Sequence, residues 1–348
     1  MTSSTLHPIR VLIVDDSAFA RKVVREILST SEWVTVIGAA RDGAEALEMT
    51  AELKPDLVIS DLHMPTMDGV AFVRRQMALR PLPILILSSA AQDAAEVVEA
   101  LSAGAIDVVQ KPTALATDDL RTVRDELVAK IQAAMGAPLE NLAPKFTASA
   151  QILRSEPASR AAIVVIGIST GGPQALRRLL PLLPADFPVP IAIVLHMPVG
   201  YTALYAEKLN ELCALEVKEV ADGDVLRPGR AVIAAAGWHL TLRREPNGDV
   251  VTQNTLDPLH KIHRPSVDVL FQSAADIYRE RVLAVVMTGM GDDGKEGAAW
   301  VKACGGTVLT ESEKSCVIYG MPRSVAEAGL SDLAVPLDEM AVAITARL

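Results

Sequence analysis

The chain of 348 residues is 50% hydrophobic and 22% charged with a net charge of −10, which is ample material for one large or two ordinary packed domains and excludes a disordered or fibrous chain. The acidic balance, with no Lys/Arg stripe interleaved with aromatics, argues against direct nucleic-acid binding, and three scattered cysteines, Cys213, Cys304 and Cys316, support neither a disulfide framework nor a zinc knuckle. No apolar run approaches the roughly 20 residues of a membrane span, and Met1 to Arg10 lacks the basic, apolar and small-residue succession of a signal peptide, so a cytoplasmic protein without membrane insertion is expected.

From Ile9 to about Val109, short apolar runs alternate with amphipathic stretches about one helix long: Val11 to Val14, Val34 to Ala39, Leu57 to Ser60, Ile84 to Leu87 and Ile106 to Val109. Five βα units are predicted, and parallel strands with crossover helices make a doubly wound sheet. A helical stretch from Asp118 to Met135 follows. The segment Gly136 to Ser159 then loses periodicity and collects Pro138, Pro144 and Pro157, as a linker does. A second α/β series begins at Ala161 to Ile166 and continues through Ile191 to Leu195, Val282 to Met287 and Thr307 to Leu309. Between these, Val217 to Val251 carries the turn pairs Pro228-Gly229 and Asn247-Gly248 and is expected to form shorter, partly antiparallel strands.

In the first series Asp15 and Asp16 close the first strand, Asp61 the third and Ser88 the fourth, while Lys111-Pro112 follows the fifth. Residues at the carboxyl ends of parallel strands converge on one crevice, so these five side chains are expected to share a pocket. Three carboxylates suit a hard divalent cation such as Mg²⁺, and a lysine with a hydroxyl opposite them suits a phosphoryl group. The chemistry that follows is a carboxylate nucleophile, best placed at Asp61, accepting a phosphoryl group with metal help. For any one aspartate, capping of the next helix is the simpler reading, as by Asp16 or Ser17 before Ala18.

These residues resemble the receiver domain of two-component response regulators. The motifs are Val14-Asp15-Asp16-Ser17, Asp61 to Gly69 (DLHMPTMDG), Ser88-Ser89 and Lys111-Pro112. The resemblance implies a flavodoxin-like domain over 8–130, phosphorylated on Asp61 by a histidine kinase. It also implies Mg²⁺ held by Asp15, Asp16, Asp61 and the backbone carbonyl of His63, with Ser88 and Lys111 on the phosphoryl oxygens. The family often has an aromatic residue three before the lysine, where this chain has Val108.

In the second series, Ile163 to Pro173 runs from a buried strand into a helix with Pro173 in its first turn, and Gly167-Ile168-Ser169-Thr170-Gly171 fits G-x-S-x-G. That turn presents a serine hydroxyl beside backbone N–H groups able to hold an oxyanion; the simpler alternative is a glycine-rich turn with Ser169 capping the helix. His196, ending the apolar strand Ile191 to Leu195, is a candidate base. Asp292 or Asp293, in the turn Thr288 to Gly294 after Val282 to Met287, is a candidate to orient the imidazole. Gly289-x-Gly291-x-x-Gly294 also matches a dinucleotide fingerprint, with Glu311 near the end of the next strand, but two aspartates in the turn oppose a pyrophosphate at a helix N-terminus. His260 and His263 form an H-x-x-H pair flanked by Lys261 and Arg264, which suits surface or substrate contact better than a metal. Cys316 reads as a buried small hydrophobe.

Gly167 to Gly172 (GISTGG), Leu195-His196-Met197, Arg264 to Phe271 (RPSVDVLF), Met287 to Gly294 (MTGMGDDG) and Ser315 to Pro322 (SCVIYGMP) together resemble the chemotaxis protein-glutamate methylesterase (CheB) family. Over 160–348, after a linker at 131–159, the resemblance implies a Rossmann-like α/β catalytic domain. The implied activity is hydrolysis of glutamate γ-methyl esters, with deamidation of glutamines, on chemoreceptor cytoplasmic helices. Ser169 is then the nucleophile, His196 the base and Asp293 the orienting carboxylate, with the N–H groups of Thr170 and Met290 as oxyanion donors and no cofactor for ester hydrolysis. It also implies that the unphosphorylated receiver covers the active-site mouth. Two rival classes, a response regulator whose second domain only binds and a metal-dependent hydrolase, are separated from this reading by an esterase assay and by the effect of EDTA.

Overall fold

The computed structural model describes residues 8–88, 93–111, 117–135 and 161–348, with 117–122 described through their backbone alone. The expected linker Gly136 to Ser159, and the motif residues Ser89 and Pro112, lie outside the described residues. The chain divides into two compact units, Met1–Pro144 and Lys145–Leu348. Among the described residues no helix is long and apolar enough to cross a membrane.

The first unit holds one parallel sheet of five strands, β1 (Ile9–Val14), β2 (Val34–Ala40), β3 (Leu57–Asp61), β4 (Ile84–Ser88) and β5 (Asp107–Gln110), in the order β2-β1-β3-β4-β5. Helices α1 (Ala18–Ser29), α2 (Gly43–Leu53), α3 (Gly69–Leu79), α4 (Ala94–Ala103) and α5 (Thr117–Ala134) make the crossovers and close the unit. β3 and β4 are buried throughout their length, which is why they read as unbroken apolar runs rather than alternating ones. Helix starts are set by side-chain caps: Ser17 accepts from the Ala20 N–H, Asp42 from Ala44 and Glu45, and Asp68 from Ala71. Ser17, rather than Asp16, caps α1, which leaves Asp16 for the crevice. The chain reverses its direction of travel across the sheet between β1 and β3, so Asp15 and Asp61 stand at the switch point where such sheets bind ligands.

The second unit holds a seven-stranded parallel sheet in the order β14-β13-β12-β6-β7-β9-β8. Its strands are β6 (Ile163–Ile168), β7 (Ile191–Leu195), β8 (Glu216–Glu219), β9 (Arg230–Ile233), β12 (Val282–Val286), β13 (Thr307–Glu311) and β14 (Leu333–Val335). The antiparallel pair β10 (His239–Arg244) and β11 (Val250–Thr255) stands outside it. The helices are α6 (Gly172–Leu179), α7 (Thr202–Asn210), α8 (Val267–Tyr278), α9 (Lys295–Ala303), α10 (Met321–Glu327) and α11 (Leu337–Thr345). The partly antiparallel region expected over Val217 to Val251 resolves into two kinds of strand. β8 and β9 extend the parallel sheet, and only β10 and β11, joined through Asn247-Gly248, form a hairpin. The three central neighbours β12, β6 and β7 are wholly buried. They belong to a core that α8 closes with Val267, Leu270, Phe271, Ala274 and Ala275. The carboxyl ends of these three strands lead into the segments that hold Ser169, His196 and Asp293.

Candidate active site and phosphoacceptor pocket

β6 leaves the sheet through Ser169 and turns into α6 at Gly171, whose φ of +79° is the left-handed conformation a side chain resists. The turn is tied to its neighbours through the backbone. The Ser169 N–H donates to the Thr288 carbonyl at 3.0 Å, the Ser169 carbonyl accepts from Gly172 at 2.7 Å, and the His196 N–H donates to Ile168 at 3.1 Å. After β12 the chain presses onto the serine: a Cβ at Gly289 would lie 2.7 Å from Ser169 Cβ and 2.4 Å from Met321 Sδ. Only glycine allows that approach. Ser169 is buried apart from a 9% exposed remnant.

His196, at the end of β7, donates from Nε2 to Asp293 Oδ2 at 2.9 Å. That bond fixes the neutral tautomer with its proton on Nε2, leaving Nδ1 as the acceptor. Nδ1 is buried and without a hydrogen-bond partner, so the serine-to-imidazole bond is open in this structure while the nitrogen that would make it is shielded from solvent. The ring of His263 stacks on that of His196 with centroids 4.3 Å apart and planes at 17°.

Asp293 sits at the N-terminus of α8. Its Oδ1 accepts from the Ser266 hydroxyl at 2.9 Å and the Asp268 N–H at 3.0 Å, and its Oδ2 accepts from the Val267 N–H at 2.8 Å as well as from His196. Burial alone would raise its pKa. The hydrogen bond from His196, the positive charge that ring gains on protonation and the two helix N–H groups outweigh that and hold the carboxyl well below the usual carboxylate range. Asp292 points away, 72% exposed, with Lys295 3.4 Å distant.

A further buried carboxylate supports the serine turn. Glu311, fully buried at the end of β13, accepts from the Thr288 N–H and the Ser315 hydroxyl, both at 2.9 Å, and the Thr288 hydroxyl donates to the Thr170 carbonyl at 3.0 Å. Burial raises the Glu311 pKa. A group enclosed in this way cannot reach a ribose, which removes the acidic partner that a dinucleotide reading of Gly289 to Gly294 requires.

In the first unit, Lys111 Nζ lies 2.8 Å from both Asp15 Oδ2 and Asp61 Oδ2, and Asp15, Asp16 and Asp61 each offer an oxygen within 4.8 Å of the others. Burial raises the Asp61 pKa, Lys111 pulls it back, and Asp15 raises it further. For Lys111 burial works against the charge, and its bonds to the two aspartates more than restore it. Three carboxylates facing one ammonium leave two negative charges, and an all-oxygen donor set of that charge fits Mg²⁺. Ser88, at the end of β4, donates to Asp93 Oδ2 at 2.8 Å, and the other oxygen of Asp93 is 3.1 Å from His63 Nε2.

The predicted residues Ser169, Thr170, His196, Met290 and Asp293 are thus brought to the carboxyl ends of three adjacent strands, and Asp15, Asp16, Asp61, His63, Ser88 and Lys111 to those of the other sheet. Missing from the sequence expectation are Ser266 and the α8 N-terminus beneath Asp293, the Glu311 anchor, and the His263 stack. Ser266 followed by Asp268 ahead of an apolar helical run was a readable helix start; nothing local in the sequence pointed it at Asp293.

Two family models match the chain: "CheB methylesterase" over residues 164–344 and "Response regulator receiver domain" over residues 11–123. A Myxococcus xanthus protein named protein-glutamate methylesterase/protein-glutamine glutaminase 5 is 52% identical over 343 residues, covering 97% of each chain. A Thermotoga maritima protein named protein-glutamate methylesterase/protein-glutamine glutaminase is 42% identical, covering 94% of this chain and 95% of its own. The crystal structure of the Thermotoga maritima CheB methylesterase catalytic domain superposes with a TM-score of 0.52 at 42% identity, covering 54% of this chain and 98% of that one.

Proposed function

The chain belongs to the CheB methylesterase family, and from that footing we propose that it is a phosphorylation-regulated protein-glutamate methylesterase and protein-glutamine deamidase acting on chemoreceptor cytoplasmic helices. One observation carries the choice of chemistry: His196 at the end of β7 is held by an ionised, helix-capped Asp293 next to the serine turn after β6.

The Ser169 hydroxyl attacks the γ-carbonyl of a methylated glutamate as His196 Nδ1 takes its proton. Asp293 stays ionised and stabilises the imidazolium. The tetrahedral oxygen is received by the N–H groups of Thr170, next to the nucleophile, and Met290, next to Gly289. The C–O bond to methoxide breaks, the imidazolium protonates it, and methanol leaves a γ-glutamyl ester on Ser169. Water, deprotonated by the same nitrogen, then releases glutamate and restores the serine. With a glutamine side chain the same steps release ammonia.

In the receiver, Asp61 accepts a phosphoryl group from a histidine kinase of the chemotaxis type. Asp15, Asp16, Asp61 and the His63 carbonyl would hold Mg²⁺, which when bound neutralises charge on the transferring group. Lys111 and Ser88 face the phosphoryl oxygens. A protein with these partners works in the cytoplasm. A serine-directed phosphonate tests the catalytic assignment: it should label Ser169 and stop methanol release, whereas EDTA should leave release intact. Inhibition by EDTA with no labelling of Ser169 would overturn the assignment.

A further inference from the structure

Two helices of the catalytic unit cap each other. Asp293, two residues before α9, gives its carboxylate to the start of α8 through the N–H groups of Val267 and Asp268. Asp268, in the first turn of α8, gives its own to the start of α9, accepting on Oδ1 from Gly294 at 2.9 Å and Gly297 at 2.8 Å. The backbones are in close contact there, since a Cβ at Gly297 would lie 2.9 Å from Asp268 Cα. Each carboxylate faces a positive helix end, which favours its charge. The two buried anions also repel one another. Lys261 answers that repulsion, with Nζ 2.8 Å from Asp268 Oδ2 and 2.5 Å from Glu296. The Asp268 pKa is raised, by burial first and also by the charge of Asp293, while Lys261 lowers it.

We propose that Asp268 and Lys261 are positioning residues for ester hydrolysis: Asp268 locks the start of α9 to the start of α8 so that Asp293 is held in one place against His196, and Lys261 keeps Asp268 charged in that role. The proposal rests on the assignment of Ser169, His196 and Asp293 given above. Neither residue touches the imidazole through any bond in this structure, so their effect runs through Asp293. An Asn at 268 keeps an oxygen for the two N–H groups but loses the charge that pairs with Lys261, and the reciprocal clasp loosens.

The test is a double-mutant cycle on the full-length protein, reading methanol release from methylated receptor. Asp268→Asn should lower kcat by roughly tenfold to a hundredfold, the scale of a small misplacement of a reacting group, with KM changed less than about twofold. Lys261→Met should lower kcat several-fold, and Lys261→Arg, which keeps the charge, should recover most of the loss. In an Asp293→Asn background, Asp268→Asn and Lys261→Met should each cost less than about twofold, because the group they position is gone. Equal losses in the two backgrounds would overturn the proposal, showing structural damage independent of Asp293, as would a single Asp268→Asn variant with parental kcat. Should Asp268→Asn fail to fold, Lys261→Met, whose side chain is partly at the surface, completes the same cycle. Ser169→Ala run alongside separates the two failures: parental turnover there removes the catalytic assignment itself, and the clasp's role with it.

Discussion

Replacing Asp293 by Asn changes one oxygen into an NH₂ group at a carboxylate that accepts four hydrogen bonds, two on each oxygen. Asn can satisfy only one of these pairs. If its oxygen faces His196 and Val267, the amide opposes the Asp268 N–H; if it faces Ser266 and Asp268, the amide opposes the Val267 N–H and forces His196 into the other tautomer. Either way a buried backbone donor loses its partner, at about 1–3 kcal/mol. For a unit of 150–250 residues that corresponds to a fall in Tm of roughly 2–12 °C. The imidazolium also loses its counter-charge, and losses for an Asp-to-Asn change of this kind reach ~10⁴ in kcat elsewhere. We expect methanol release to fall by about 10³–10⁴-fold with a folded protein. The pH dependence has a definite sign. Because the folded-state pKa of Asp293 is depressed, its contribution to stability is complete above about pH 5 and is lost as pH falls below the unfolded value near 4. The Tm gap between wild type and Asp293→Asn should therefore narrow in acid. A variant within tenfold of wild-type kcat, or a gap that widens as pH falls, would refute the reasoning.

Incubation with Mg²⁺ and acetyl phosphate should phosphorylate Asp61, and Asp61→Asn should abolish labelling; a label on Asp15 or Asp16 would move the phosphoacceptor. Gly289→Ala places a methyl 2.7 Å from Ser169 Cβ and should lower kcat by roughly a hundredfold while leaving the receiver's phosphorylation unchanged. A fragment starting near Ser155 should hydrolyse receptor esters faster than the unphosphorylated full-length protein, with acetyl phosphate accelerating only the latter. Equal basal rates would rule out inhibition by the receiver.

The sequence was most informative where burial is two-sided. β3, β6 and β7 are enclosed on both faces, so they appear as continuous apolar runs, and the polar residue ending each run marks a strand's carboxyl end. Ser169, His196 and Asp61 were found that way. β14, three residues with two of them exposed, has no such run and left no trace. β8 and β9 looked like candidates for antiparallel pairing because the turn signals around them resemble those of the true hairpin at Asn247-Gly248; their parallel pairing is decided by the sheet edge they join. Asp292 and Asp293 are adjacent in sequence, and only the docking of α8 against the following turn separates a helix-capping carboxylate from a solvated one. The Ser88 bond to Asp93 depends likewise on contacts beyond the reach of any local pattern.

The most direct test is mass spectrometry of a methylated chemoreceptor before and after incubation with the full-length protein and acetyl phosphate, beside the Ser169→Ala variant. The account requires the wild-type protein to convert glutamate γ-methyl esters to free glutamates at specific positions, and Ser169→Ala to leave them methylated. Intact esters after wild-type treatment, or equal conversion by Ser169→Ala, would contradict it.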